Sequence, residues 1–410
     1  MEILMAWRNI WRHPRRTILT LLAIAFACML LVFMLSFQFG TYEAMITSVV
    51  KSQTGHLQIL VNGYNSDHKM RKVVRNPKEL EAQLRALPHI KNSTVRANGF
   101  SLLSSEKRTY GGLVTGIDPM REAQLSTIAS TIREGEYLSP NDSTQALVGA
   151  LLAKNLHIHL GDELVVLGNA RDGSIAATVL TVKGIFRSGV DEYDRSAVQI
   201  PLAAFQDIFV MRGAVHQIVI ECDALAHVRE TQAAITTLLP KDKPQRQLVC
   251  MTWSELIPGL IQSIQMDLGG GIIFYLILII VVAFSIMNTF IMAVFERTHE
   301  FGTLIAIGAK PGRLSKMLLY ESAMLTICGV LLGIGLGCAV TILAAHTGIP
   351  LGEAEGLLRQ YGIPSVIRPQ LSVLSATAGP TIVFIITMMT ALYPAIKVRS
   401  LNPVEAMRAA

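Results

Sequence analysis

Residues 272–295 read IIFYLILIIVVAFSIMNTFIMAVF, with Gly269-Gly270-Gly271 before them and Glu296-Arg297 directly after. A helix rises about 1.5 Å per residue and a bilayer's hydrocarbon core is about 30 Å thick, so about 20 apolar residues suffice to cross it. This run exceeds that length without a charged side chain. Similar runs occupy 18–39, 317–344 and 374–393. The composition agrees: 51% of the residues are hydrophobic and 16% charged, where an ordinary soluble domain has about 25% charged. The fold class expected is therefore membrane α-helical, with four transmembrane helices. Between the first two helices, residues 40–270 form a large extracytoplasmic α+β domain.

Charge sets the orientation. Residues 40–271 hold 23 basic and 23 acidic side chains, while the remainder holds 13 basic and 7 acidic, which accounts for the whole net charge of +6. A nucleic-acid binder would carry its basic excess on the folded domain. Here it flanks the apolar runs, at Arg8, Arg12, Arg15 and Arg16, at Arg297, Lys310, Arg313 and Lys316, and at Lys397, Arg399 and Arg408. That is the positive-inside pattern. It makes 1–17, 296–316 and 394–410 cytoplasmic, and places 40–270 and the short loop 345–373 outside a cytoplasmic (inner) membrane. The sequence Ala25-Phe26-Ala27-Cys28 faintly resembles a lipoprotein cleavage box, but the apolar run continues to Phe37. Such a run is long for a signal peptide, so the first helix is read as an uncleaved anchor.

Few polar groups enter the spans. Glu321 stands about one turn into the third, where it either snorkels to the interface or bonds to another helix. Asn288, near the end of the second, poses the same question at a smaller penalty. Gly329, Gly333 and Gly337 are spaced by four and line one stripe on which a neighbouring helix can approach closely.

In the outer domain His56–Val61 alternates as a half-buried strand. Lys78–Leu87 and Ala146–Leu156 read as amphipathic helices, and Leu164–Leu167 with Ala176–Val182 as a hairpin across Asp172-Gly173. Gln217–Ile220, Ala224–Leu239 and Gln247–Met251 read as strand, helix and strand. The β-rich stretch 147–187 could form its own lobe. His157 and His159 fall on an expected strand as ordinary surface histidines, and Asp191–Arg195 reads as a solvated loop. Cys222 and Cys250 could pair if the compartment is oxidising. The sequence contains no Gly-x-Ser-x-Gly, no His-Glu-x-x-His and no metal-ligand spacing, so no catalytic, cofactor or metal site is assigned.

No Gly-x-x-x-x-Gly-Lys-Ser/Thr occurs either, so no phosphate-binding loop is present and any ATP is hydrolysed by another chain. Four spans without buried ion-coupling carboxylates also make a poor secondary transporter. The loop after the second span reads Glu296-Arg297-Thr298-His299-Glu300-Phe301-Gly302-Thr303-Leu304-Ile305-Ala306-Ile307-Gly308-Ala309-Lys310-Pro311-Gly312. Phe301, Leu304, Ile305 and Gly308 recur at helical spacing, and Gly308 with Pro311 ends the helix. Its apolar stripe needs either a lipid surface or a groove on another protein.

That segment resembles the loop motif of the FtsX-like, MacB-type ABC transporter permeases, a superfamily that includes lipoprotein-releasing LolC and LolE. The tail Tyr393-Pro394-Ala395-Ile396-Lys397 with Asn402-Pro403-Val404-Glu405-Ala406-Met407-Arg408 is similar to the family's closing motif, with Met407 for its usual Leu. Trp7-Arg8-Asn9-Ile10 fits its start and Leu160-Gly161-Asp162 its Gly-Asp turn. Thr54-Gly55-His56-Leu57-Gln58-Ile59 looks most like the LolC/LolE branch. The resemblance implies a permease that works with a cytoplasmic ABC ATPase dimer, which holds the ATP and Mg2+, and with a second permease copy or paralogue. A periplasmic acceptor or adaptor would complete the assembly in the lipid bilayer. Glu296, Arg297 and Glu300 would frame the ATPase-docking helix. Phe301, Leu304, Ile305 and Ile307 would supply its apolar contact, and Gly302 and Gly308 would permit close approach. Lipoprotein release is the implied function; a signalling permease that regulates a cell-wall hydrolase, or export of a drug or peptide, are the alternatives.

Overall fold

In lipid every backbone N–H and C=O needs a partner inside its own segment, and a helix provides one. The computed structural model, which describes residues 6–8, 10–12, 14–240, 247–350 and 366–399, has four helices long and apolar enough to cross a membrane. They belong to one of two compact units (1–43, 264–350 and 366–410); the other is an α/β unit formed by 44–263 with 351–365.

Along the chain, α1 (Pro14–Val49) passes into a π-helical turn, Val50–Thr54, and then into β1 (Leu57–Val61). There follow α2 (Pro77–Leu84), β2 (Ile90–Ser104), β3 (Thr109–Ile117), α3 (Pro119–Leu125), β4 (Ile132–Gly135), β5 (Gln145–Gly149) and α4 (Ala150–Leu156). Next come β6 (Glu163–Asn169), β7 (Ile175–Phe186), β8 (Ala197–Pro201), α5 (Leu202–Ile208), β9 (Gln217–Cys222), α6 (Val228–Leu238) and β10 (Leu248–Thr252). The remaining helices are α7 (Pro258–Glu296), α8 (Thr298–Ala306), α9 (Pro311–Thr347) and α10 (Val373–Arg399).

The long helices outrun the apolar stretches that announce them. The Gly269–Gly271 triplet lies inside α7, and α10 continues through Pro394. Hydropathy marks the stretch that lipid tolerates; the helix ends are set by polar contacts beyond it. Tyr42 donates to Asp267 at 2.6 Å, Gln38 donates to Asp267 at 3.1 Å, and Tyr275 donates to Gln38 at 2.8 Å, so α1 and α7 are clasped together. Ser315 donates to the Ala395 carbonyl at 2.6 Å and holds α9 against the turn after Pro394. The expected tail motif at 402–408, Asn9 and most of the loop 345–373 lie outside the described residues.

In the α/β unit a 10-stranded sheet runs in the order β10-β1-β9-β2-β3-β8-β5-β7-β4, with β6 bridging β2 and β7. The pairings β2–β3, β3–β8, β8–β5, β5–β7, β7–β6 and β6–β2 return to their start, so these strands close into a barrel. Its core packs Leu103, Val148, Leu164, Leu180, Phe205 and Phe209. The β-rich stretch 147–187 is therefore no separate lobe: its strands close against β2, β3 and β8. The other half packs Leu84 of α2 with Val228 and Ile235 of α6 over β1, β9 and β2.

Several local expectations change. Ala146–Leu156 divides into β5 and α4. All of β1 is buried, because Tyr64 and Leu256 cover its second face and Gln58 turns its amide onto the Thr54 carbonyl at 2.9 Å. His157 caps α4 in a left-handed conformation (φ +54°) and His159 lies in the following turn, so neither sits on a strand. Asp191–Asp194 is a short helix with Asp194 buried, accepting from the Ser188 N–H at 2.9 Å. Cys222 and Cys250 are free thiols on β9 and β10, which β1 separates. Two strand spacings separate them laterally by roughly 10 Å, and the register offsets them further, with Cys250 opposite Ile59 and Cys222 beyond the Leu57–Ile220 pair. That is beyond disulfide reach, and burial pushes the thiols up to about 11 and about 12.

His216 gives this unit a pH dependence. Its ring is fully buried, stacks on Tyr64 at 4.9 Å, accepts from the Asn98 N–H at 2.9 Å and points Nε2 at the Met70 carbonyl, 3.3 Å away. Burial lowers its pKa from 6.5 to about 4. The unfolded chain takes up this proton near 6.5 and the folded chain does not until about 4, so stability is full above the first value and falls towards the second. At about 1.4 kcal/mol per pH unit the loss is roughly 3 kcal/mol. Unfolding of the full chain in detergent should show this loss between the two values, and His216→Phe should remove that part of the slope. An unchanged slope in the variant would assign it to other groups.

Candidate functional site

The loop helix α8 is joined to α7 by a single residue, Arg297. Its backbone leaves the helical region (φ −107°), and Phe301 N–H donates to the Arg297 carbonyl at 2.9 Å to start the new helix. The guanidinium turns inward. Nη1 lies 3.2 Å from Glu321 Oε2 on α9, Nε lies 3.5 Å from Glu300, and the group stacks over the Phe301 ring at 5.5 Å. Glu321 thus bonds to a neighbouring helical segment.

Phe301 is 1% exposed, packed among Val294, Leu314, Leu318 and Val398. It is part of the protein's own core, which corrects its expected place on a partner-facing stripe. Helical spacing cannot say which edge of a broad apolar face is covered at home. Ile305 packs against the same cluster from its rim. Leu304 and Ile307 point outward, 43% and 79% exposed. Gly302 is buried. Gly308 has open space around it in this chain, so packing against its own helices does not require a glycine there. It adopts φ +106°, with Gly308 N–H donating to Ile305 O and Ala309 N–H to Leu304 O, both at 3.0 Å. This is the double hydrogen bond that ends a helix on a left-handed glycine. Pro311 then opens α9.

Glu296 and Glu300 also have partners in the chain. Arg16 lies 2.8 Å from Glu296, and Arg12 lies 3.6 Å from Glu300. Sequence reasoning used these arginines to set orientation and missed them as ligands of the loop; opposite charge on two segments expected on one side is the signal that could have found them. Asn288 is exposed on α7, and among the described residues nothing bonds its side chain.

The glycine stripe of α9 meets α1. A Cβ on Gly329 would lie 2.8 Å from Ile24, on Gly333 2.6 Å from the Ala25 carbonyl, and on Gly337 2.8 Å from Val32. Gly333→Leu should lower the thermal unfolding temperature of the purified protein, because a backbone carbonyl cannot swing away. Gly335→Leu, where a Cβ would meet nothing within 4 Å, should not; equal effects would refute the packing argument. For the Arg297–Glu321 pair, a double-alanine cycle followed by unfolding in mixed micelles should give a coupling of about 1 to 3 kcal/mol. Simple additivity would show that the pair contributes nothing.

The MacB-like periplasmic core domain model matches residues 17–238, more than half of the chain, and the FtsX-like permease C-terminal model matches 272–403. The lipoprotein-releasing system transmembrane protein LolC of Neisseria meningitidis serogroup B is 24% identical over 410 aligned positions, covering 96% of this chain and 94% of that protein. The pyoverdine export ATP-binding/permease protein PvdT of Pseudomonas syringae pv. tomato is 26% identical, over 82% of this chain and 51% of PvdT. Among solved structures, the extracellular domain of the ABC-type transporter YknZ from Gram-positive bacteria aligns at 13% identity and TM-score 0.35, over 48% of this chain and 99% of that one. The periplasmic region of MacB from Actinobacillus actinomycetemcomitans aligns at 13% and 0.36, over 52% and 95%. By its two matched domains, the chain belongs to the ABC-transporter permeases of the MacB, FtsX and LolC family.

Proposed function

We propose that this permease releases lipoproteins from the inner membrane, driven by a separate ATPase that docks on the exposed edge of α8. The observation that carries the reading is the end-to-end alignment with a LolC, covering nearly all of both chains. The MacB-type relatives named as ATP-binding/permease proteins are by contrast about twice as long as the part matched here. On this reading both chain ends and α8 are cytoplasmic, and the α/β unit is periplasmic. ATP and Mg2+ sit on the ATPase dimer, and a second permease copy or paralogue completes the membrane assembly.

The geometry supports α8 as the coupling element. An apolar residue that is 79% exposed at the tip of a helix, beside another at 43%, leaves apolar area to bury. Arg297 and Phe301 fix that helix to α9, so a push on Leu304 and Ile307 reaches the membrane helices instead of bending the loop. Glu296, Arg297, Glu300 and Phe301 act as the mount, and Leu304 and Ile307 as the contact.

Leu304→Asp and Ile307→Asp should abolish ATPase copurification while leaving the permease folded, since an unpaired charge in an apolar groove costs several kcal/mol. Phe301→Asp should destabilise the permease itself. Normal copurification in both contact variants would overturn the docking assignment. Depletion of the protein should leave lipoproteins in the inner-membrane fraction. Normal lipoprotein sorting with lost efflux of a small molecule would favour the export reading, which the PvdT and MacB relatives represent.

A further inference from the structure

Three side chains from two distant stretches of the sequence converge at one corner of the α/β unit. Asp223 follows the last residue of β9, His227 stands at the start of α6, and His89 directly precedes β2. His89 Nδ1 lies 2.9 Å from Asp223 Oδ2, and His227 Nδ1 lies 2.8 Å from Asp223 Oδ1. The two imidazole rings are 3.9 Å apart, inclined by 31°. All the potential ligand atoms fall within 4.8 Å of one another. The Asp223 N–H also donates to the His89 carbonyl at 3.2 Å, so the backbone holds the two segments together.

We propose that His89, Asp223 and His227 bind one divalent transition-metal ion of the zinc class. Two imidazole nitrogens and a carboxylate are the donors such ions prefer, at about 2.0 to 2.2 Å from the metal. Atoms set that far from one ion lie no more than about 4.4 Å apart, close to the spread seen here. Each histidine would bind through Nδ1 as the neutral ring, its proton on Nε2. All three side chains are partly open to solvent, so water would complete the coordination. The ion would join the start of β2, the end of β9 and the start of α6. The proposal is independent of the transport reading.

The test uses tag-free full-length protein in detergent, stripped with chelator and titrated with zinc chloride under equilibrium dialysis. One saturable zinc per chain is expected, with affinity falling more than about tenfold in His89→Ala and in His227→Ala, since even second-shell changes reach that scale. His159→Ala, an exposed histidine 3.6 Å from Asp162, should bind as the parent does. In the unaltered protein zinc should also protect His89 and His227 from acylation by diethyl pyrocarbonate, a readout that survives misfolding of any variant. No saturable binding by about 100 μM zinc, or zinc binding and protection indifferent to these histidines, would overturn the site and leave a hydrogen-bonded cluster.

Discussion

A single buried guanidinium ties β2 and α3 of the α/β unit to the turn that ends α1. Arg96 grips both carboxylate oxygens of Glu122, at 2.6 and 3.1 Å, and donates its third nitrogen to the Gln53 carbonyl. Gln53 lies in the π turn that ends α1, and Glu122 on α3 is fully buried. The strand that carries Arg96 serves both halves of the sheet: β2 pairs with β9 through residues 90–96 and with β3 through 96–104, then with β6 through 101–104. Arg96 stands at the handover. Breaking such a buried pair costs about 3 to 5 kcal/mol, because the surviving partner keeps its desolvation penalty. An arginine suits the position because its planar fork serves a carboxylate and a carbonyl at once, which a lysine cannot do.

The helical unit uses the same device at Arg297. There too a guanidinium stands where a long helix ends, and it combines a carboxylate on another element with a contact inside its own turn. Burial makes each contact strong and leaves little freedom to rearrange. A loop held only by its apolar face would slide; one whose guanidinium meets Glu321 and Glu300 and lies over a packed aromatic ring has a fixed pitch. The exposed edge of α8 is therefore presented on a rigid base.

The parts legible in sequence were those governed by one-dimensional rules. Length and apolarity found the four helices, and spacing by four found the glycines that meet Ile24, Ala25 and Val32. Gly308 and Pro311 marked the end of α8 and the start of α9, since both act through their own backbone geometry. What was hidden depends on distant partners. The stripe containing Phe301 was visible, but its direction depended on Leu314, Leu318 and Val398. Asp194 looked like a surface acid because nothing nearby in sequence reveals its burial. The β2–β3 hairpin escaped because polar residues such as Asn92, Arg96, Asn98 and Ser101 break its alternation. Several of these side chains are bonded or buried in the folded unit, so composition misreports their environment.

The chain also ties α1 and α7 to each other at two levels. Its two links to the membrane helices, through Thr54 and through Pro258, leave from paired strands: Leu57 lies opposite Thr252, and the Trp253 N–H donates to the His56 carbonyl at 3.0 Å. Within the helical unit the same two helices, α1 and α7, are clasped by Tyr42, Gln38, Asp267 and Tyr275. A shear between α1 and α7 would strain hydrogen bonds at both places. α1 and α7 are therefore tied to one another inside each unit, and in the α/β unit the tie continues from β1 and β10 into β9 and β2.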